Sequence, residues 1–155
     1  MIEYFENLLS WINDQGTLLL SLVAIILSFR YQRHSKKLAN DRMLKDLFTE
    51  FNTRYDVINN DLDFISRFTE EEWSLIDVEG RKRYHGVIVD FFNICAEEYY
   101  WHKEGRINGD IWKSWSKGMN DIYQRSKIIR DVWRQECENE GYKSYYLNSP
   151  NEIFK

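Results

Sequence analysis

Residues 16–31, GTLLLSLVAIILSFRY, decide the reading of this chain. The chain is 30% charged, yet charge is suspended from Gln15 to Phe29 and then resumes with one sign, at Arg30, Arg33, Lys36 and Lys37. An apolar run closed by a basic cluster predicts a single transmembrane helix with its positive flank in the cytoplasm. Leu18, Leu19, Leu20, Leu22, Val23, Ile25, Ile26, Leu27 and Phe29 form the expected anchor, broken only by small residues such as Ser21 and Ser28.

The run is short. Leu18–Phe29 covers about 18 Å at the helical rise, against a hydrocarbon core of roughly 30 Å. Counting Gly16, Thr17, Arg30 and Tyr31 as tolerated ends gives about 24 Å, because Arg30 can snorkel and Tyr31 suits the headgroup region. Local thinning of the bilayer covers the rest. The competing reading is a buried core helix, alone or in an oligomer. Apolarity on every face and a charged helix directly following weigh against it. A cleaved signal peptide fits less well: Glu3, Glu6 and Asp14 precede the run with no Lys or Arg, and no small-x-small cleavage site follows Ile26.

Charge sets the expected orientation. Residues 1–29 hold three acids and no base, whereas residues 30–45 hold Arg30, Arg33, Lys36, Lys37, Arg42 and Lys45 against Asp41 alone. The amino terminus is therefore expected outside the cytoplasmic membrane and the remainder inside it. Arg30, Arg33, Lys36 and Lys37 are expected to contact anionic lipid headgroups. Nucleic acid is the other use of a basic cluster, but from residue 46 onward acids outnumber bases 21 to 15 and no recognised module is present, so none is expected. Upstream, Ile2, Phe5, Leu8, Leu9 and Ile12 recur at helical spacing with Tyr4 and Trp11 beside them. Residues 1–15 thus read as an amphipathic segment in the outer interface, turning inward at 13–16, or else as an extension of the span.

The soluble part is read as all-α: one proline and seven glycines leave little room for a loop-rich β fold. Between residues 32 and 67 the apolar positions Leu44, Leu47, Phe51, Tyr55, Ile58, Leu62 and Ile65 step by three and four, a long amphipathic helix with nothing to interrupt it after the span. Phe48, Phe64 and Phe68 widen its stripe beyond a two-stranded seam, favouring packing within its own domain over a bare coiled coil. About four further helices complete a bundle over residues 32–141. Phe68-Thr69-Glu70-Glu71-Glu72-Trp73 reads as a capping box with a hydrophobic staple. A short helix from there ends near Gly80, and another spans residues 83–103 and stops at Gly105. Asn108-Gly109 marks a turn, with Asp110 as the expected cap of the next helix, which can break at Gly118 and end before Gly141. The polar, aromatic tail, residues 142–155, either docks on the core or awaits a partner.

No motif carries chemistry with force. Glu98 and His102 sit four apart on one helix face, a spacing that holds a divalent metal if a second helix adds ligands, with Glu97 beside them. The chain has only three histidines, and a solvated or salt-bridged acidic face explains these residues as well. Cys95 and Cys137 read as small buried thiols in a reducing compartment. No phosphate loop or nucleophile elbow is present, and neither catalytic residues nor cofactors are expected.

Phe92-Asn93-Ile94-Cys95-Ala96-Glu97-Glu98-Tyr99, Lys103-Glu104-Gly105-Arg106-Ile107, Ile111-Trp112-Lys113-Ser114-Trp115, Gly118-Met119, Trp133 and Tyr145-Tyr146 form a pattern over residues 84–147. It resembles that of uncharacterised bacterial and phage helical proteins with one amino-terminal span, a domain of unknown function. The resemblance implies a helical cytoplasmic module and supplies no reaction, ligand or catalytic residue. The leading expectation is a membrane-tethered, non-enzymatic module that recruits an unknown protein partner or self-associates. A membrane-acting phage-defence or exclusion effector is the alternative, and a metal-dependent hydrolase a third.

Overall fold

The computed structural model describes residues 2–155, apart from the side chains of Ile2, Leu8 and Asp14. Five α-helices and one 3-10 segment account for nearly all of them, with no strand among the described residues. The chain divides into two units, Met1–Met43 and Leu44–Lys155.

The described residues of the first unit are all helical and form the amino-terminal part of α1 (Ile2–Ser66). The side chains of the expected anchor are exposed by half or more, from Ile26 at 50% to Leu20 at 73%. Among the described residues α1 is the one helix long and apolar enough to cross a membrane. It does not turn at 13–16: Thr17 Oγ1 donates to the Asn13 carbonyl at 2.9 Å and Ser21 Oγ to that of Thr17 at 2.8 Å, so the hydroxyls bond back into the helix. Gly16 lowers helix propensity but does not stop the ladder. Of the expected interfacial face, Phe5, Leu9 and Ile12 are exposed, while the side chains of Ile2 and Leu8 lie outside the described residues.

The second unit is built on the stripe legible in the sequence. Leu47, Phe51, Ile58, Leu62 and Ile65 of α1 are buried, and Phe48 and Phe51 meet Trp115 edge-on at 4.8 and 5.8 Å. α2 (Glu70–Leu75) opens on the expected capping box: the Glu72 amide donates to Thr69 Oγ1 at 3.2 Å, and the Thr69 amide to Glu72 Oε2 at 2.8 Å. The helix stops at Leu75, short of the expected end near Gly80, because Asp77 caps a new one; its carboxylate accepts the Gly80 amide at 2.7 Å. α3 (Val78–Lys103) therefore begins five residues before the expected start at Arg83.

Its far end is a Schellman motif. The Arg106 amide donates to the Trp101 carbonyl and the Gly105 amide to that of His102, both at 2.9 Å, with Gly105 at φ +69°, where a Cβ would be strained. Asn108, not Asp110, caps α4 (Gly109–Arg125), its side chain accepting the Ile111 amide at 2.9 Å. α4 passes through Gly118 without a break. The interruption falls instead at Ser126, whose extended backbone ends α4 and whose hydroxyl caps α5 (Lys127–Glu136).

The tail belongs to the core. Tyr145, which ends the 3-10 segment Glu138–Tyr145, is buried, as are Leu147, Ile153 and Phe154 after it. Phe154 stacks on Tyr123 at 4.4 Å and meets Trp133 at 5.0 Å, Phe92 at 5.7 Å and Phe91 at 6.0 Å. Trp133 Nε1 donates to the Pro150 carbonyl at 3.2 Å, and the Lys155 amide to Asn120 Oδ1 at 2.7 Å. These contacts exclude water from an aromatic cluster that α3 and α5 alone would leave open.

Candidate functional site

Within the second unit, α1 and α4 form the walls of a cleft of about 550 Å³, with α3 contributing Glu98. From α1 come Asn52, Tyr55, Asp56 and Asn59, spaced three, four and seven apart and so on one helix face. α4 contributes Ser114, Trp115, Gly118, Met119 and Ile122. Gly118 keeps the cleft open: a Cβ placed there would meet nothing within 4 Å. Trp115 is held by its edge contacts with Phe48 and Phe51, so the wall it forms is preset.

Glu98 is the chemically distinctive member. It is only 2% exposed, and its one close polar partner is the Tyr55 hydroxyl, which donates to Oε2 at 3.4 Å. Burial pushes its carboxyl up to about 8, against the smaller opposing influences of the Tyr55 hydrogen bond and the Arg54 charge. The carboxyl is thus largely protonated at neutral pH. Tyr55 also lies 3.7 Å from Cys95 Sγ, and burial raises both the phenol and the thiol, leaving Cys95 an unreactive thiol.

Neighbouring Glu97 has a different fate. Arg54 holds it in a bidentate pair, Nη2 donating to Oε1 at 3.1 Å and Nη1 to Oε2. That pair occupies Arg54, and no Lys or Arg lines the cleft among the described residues.

The metal candidates separate. His102 Nδ1 donates to the Ile107 carbonyl at 3.0 Å, and the ring stacks on Trp112 at 4.9 Å and 9°, which ties it to the α3–α4 connection. Among the described residues no group of three or more His, Cys, Asp or Glu side chains is gathered as a metal site. Glu98 and His102 therefore serve different surroundings despite their spacing.

A second depression, of about 500 Å³, lies among Trp73, Arg81, His85 and Asp131. Its two carboxylates are both bridged by Lys127, Glu70 at 3.1 Å and Asp131 at 2.9 Å, and Arg81 and Lys82 also line it. The first cleft differs in carrying carboxyls without a matching base. Sequence reasoning missed it, since Tyr55 reads as one more apolar step of the α1 stripe and Glu98 as half of a metal pair. The available signal was the polar set Asn52, Asp56 and Asn59 on the flank of that stripe. Compared with protein-family models, curated proteins and solved structures, the chain matches none.

Proposed function

We propose that the protein is a membrane-anchored, non-enzymatic interaction module, with α1 spanning the bilayer and residues 44–155 presented in the cytoplasm. The observation that carries the reading is the anchor in α1, half or more exposed on every face and followed immediately by Arg30, Arg33, Lys36 and Lys37. Among the described residues no side chain covers it, so in water it would be an aggregation hazard.

Helical continuity through residues 13–16 also supports the reading by easing the length problem. With no turn there, Leu9, Trp11 and Ile12 continue the apolar surface, and Leu9–Phe29 gives about 30 Å of helix, the thickness of a hydrocarbon core. Asn13, Asp14 and Gln15 fall midway between the outer end of that length and the midplane, about 6–9 Å from each, short of the centre where polar groups cost most. The back-bonded hydroxyls of Thr17 and Ser21 need no external partner in lipid. The basic cluster then lies at the headgroups and fixes the orientation, amino terminus outside.

The test is alkaline carbonate extraction of the full-length protein beside the double substitution Leu22→Arg and Ile26→Arg. The wild type is expected in the membrane pellet and the substituted chain in the supernatant. Recovery of the wild type as a soluble oligomer would mean that the apolar helix is an assembly core and would end the proposal.

A further inference from the structure

We infer that the cleft between α1 and α4 is a binding site for a small organic cation, an amine with an apolar body, whose ammonium pairs with Glu98 and Asp56 and whose body lies on Trp115, Met119 and Ile122. The volume, about 550 Å³, falls within the range of small-molecule pockets. Its lining decides the class of ligand. Two carboxyls and no base disfavour an anion, and Trp115 and Tyr55 offer π-faces to a cation. The apolar side chains of α4 disfavour a bare, strongly hydrated metal ion, for which no ligand group is gathered among the described residues.

Glu98 is the second, independent sign of a ligand. A carboxyl that is 2% exposed normally has a guanidinium or several strong donors around it. This one has a single long bond from Tyr55, while the nearby guanidinium of Arg54 is committed to Glu97. An ammonium in the cleft adds a second, charged donor to the ionised carboxylate.

The groups facing Glu98 are Arg54, Tyr55 and Asp56 from α1, and Cys95 and Glu97 from α3; the lining residues of α4 do not titrate. With a midpoint of about 8 the free carboxyl is mostly neutral at pH 6 and mostly ionised at pH 9. An ammonium that pairs with the ionised form is therefore bound more tightly as pH rises, by on the order of tenfold or more between pH 6 and 9.

The experiment is calorimetric titration of the full-length protein in detergent micelles with three matched probes: phenethylamine, the neutral phenethyl alcohol and the anionic phenylacetate. The amine is expected to bind and the other two to bind at least tenfold more weakly, with the amine's affinity rising from pH 6 to pH 9. Glu98→Gln is expected to weaken the amine at least tenfold and to flatten its pH dependence. Gly118→Leu puts a bulky side chain on the cleft wall where a Cβ meets nothing within 4 Å, and is expected to abolish binding while the far-ultraviolet spectrum and Tm are kept. Equal binding of the alcohol, no binding of the amine at millimolar concentration, or full binding to a folded Gly118→Leu protein would each overturn the proposal. Because the charge series is run on the wild type, instability of Glu98→Gln would not blunt the result.

Discussion

At the scale of the residue, Glu98 couples folding to pH. Its folded carboxyl is raised from 4.5 to about 8, so the native state holds a proton that the unfolded chain releases. The stabilisation linked to that proton is complete below the unfolded value and is lost as pH rises through about 8. Stability should fall by a few kcal/mol between pH 5 and 9, because each tenfold difference in proton affinity between the two states is worth about 1.4 kcal/mol. Urea unfolding followed by tryptophan fluorescence should show this decline in the wild type and a much flatter profile in Glu98→Gln. A wild-type profile independent of pH would mean that the carboxyl is hydrated in solution. Gly141 illustrates a different constraint: a Cβ there would run into the Glu136 carbonyl oxygen, so the backbone itself requires a glycine.

At the scale of the element, the tail behaves as a sixth packing piece. Phe154, 3% exposed and in contact with four aromatic rings, is the residue through which it is held. Phe154→Ala should cost about 3–5 kcal/mol in denaturant unfolding and expose the Trp133 fluorescence to quencher. Gly118→Ala, by contrast, should raise stability by up to about 1 kcal/mol in the same assay, since the new methyl meets open space in a helix interior. Both results bear on what the sequence could reveal. The α1 stripe, the Thr69 capping box and the Gly105 stop were legible because each is a local rule with residues a turn or so apart. The continuity at Gly118 and the break at Ser126 were not, because glycine lowers helix propensity without forbidding a helix, and a serine cap competes only where the backbone is already extended. The docking of the tail and the cleft itself depend on pairs such as Tyr55 with Glu98, 43 residues apart, which no periodicity reports.

At the scale of the whole molecule, the proposed anchor makes orientation depend on four side chains. Replacing Arg30, Arg33, Lys36 and Lys37 together with glutamine, and adding two lysines before Tyr4, should invert a fraction of the chains in a cysteine-accessibility topology assay. An unchanged orientation would assign topology to another feature. The deep seat of Phe154 has a consequence for biosynthesis as well. Tyr31 leaves the ribosome 123 residues before Phe154 does, a lag of roughly 6–25 s at ordinary elongation rates. α3 is complete at Lys103 and α5 at Glu136, so over the last part of that interval their aromatic faces lack the residue that closes them. A nascent chain already captured by the bilayer would complete its core tethered beside lipid, so the timing of elongation, and the chaperones waiting at the tunnel exit, become part of how this protein acquires its fold.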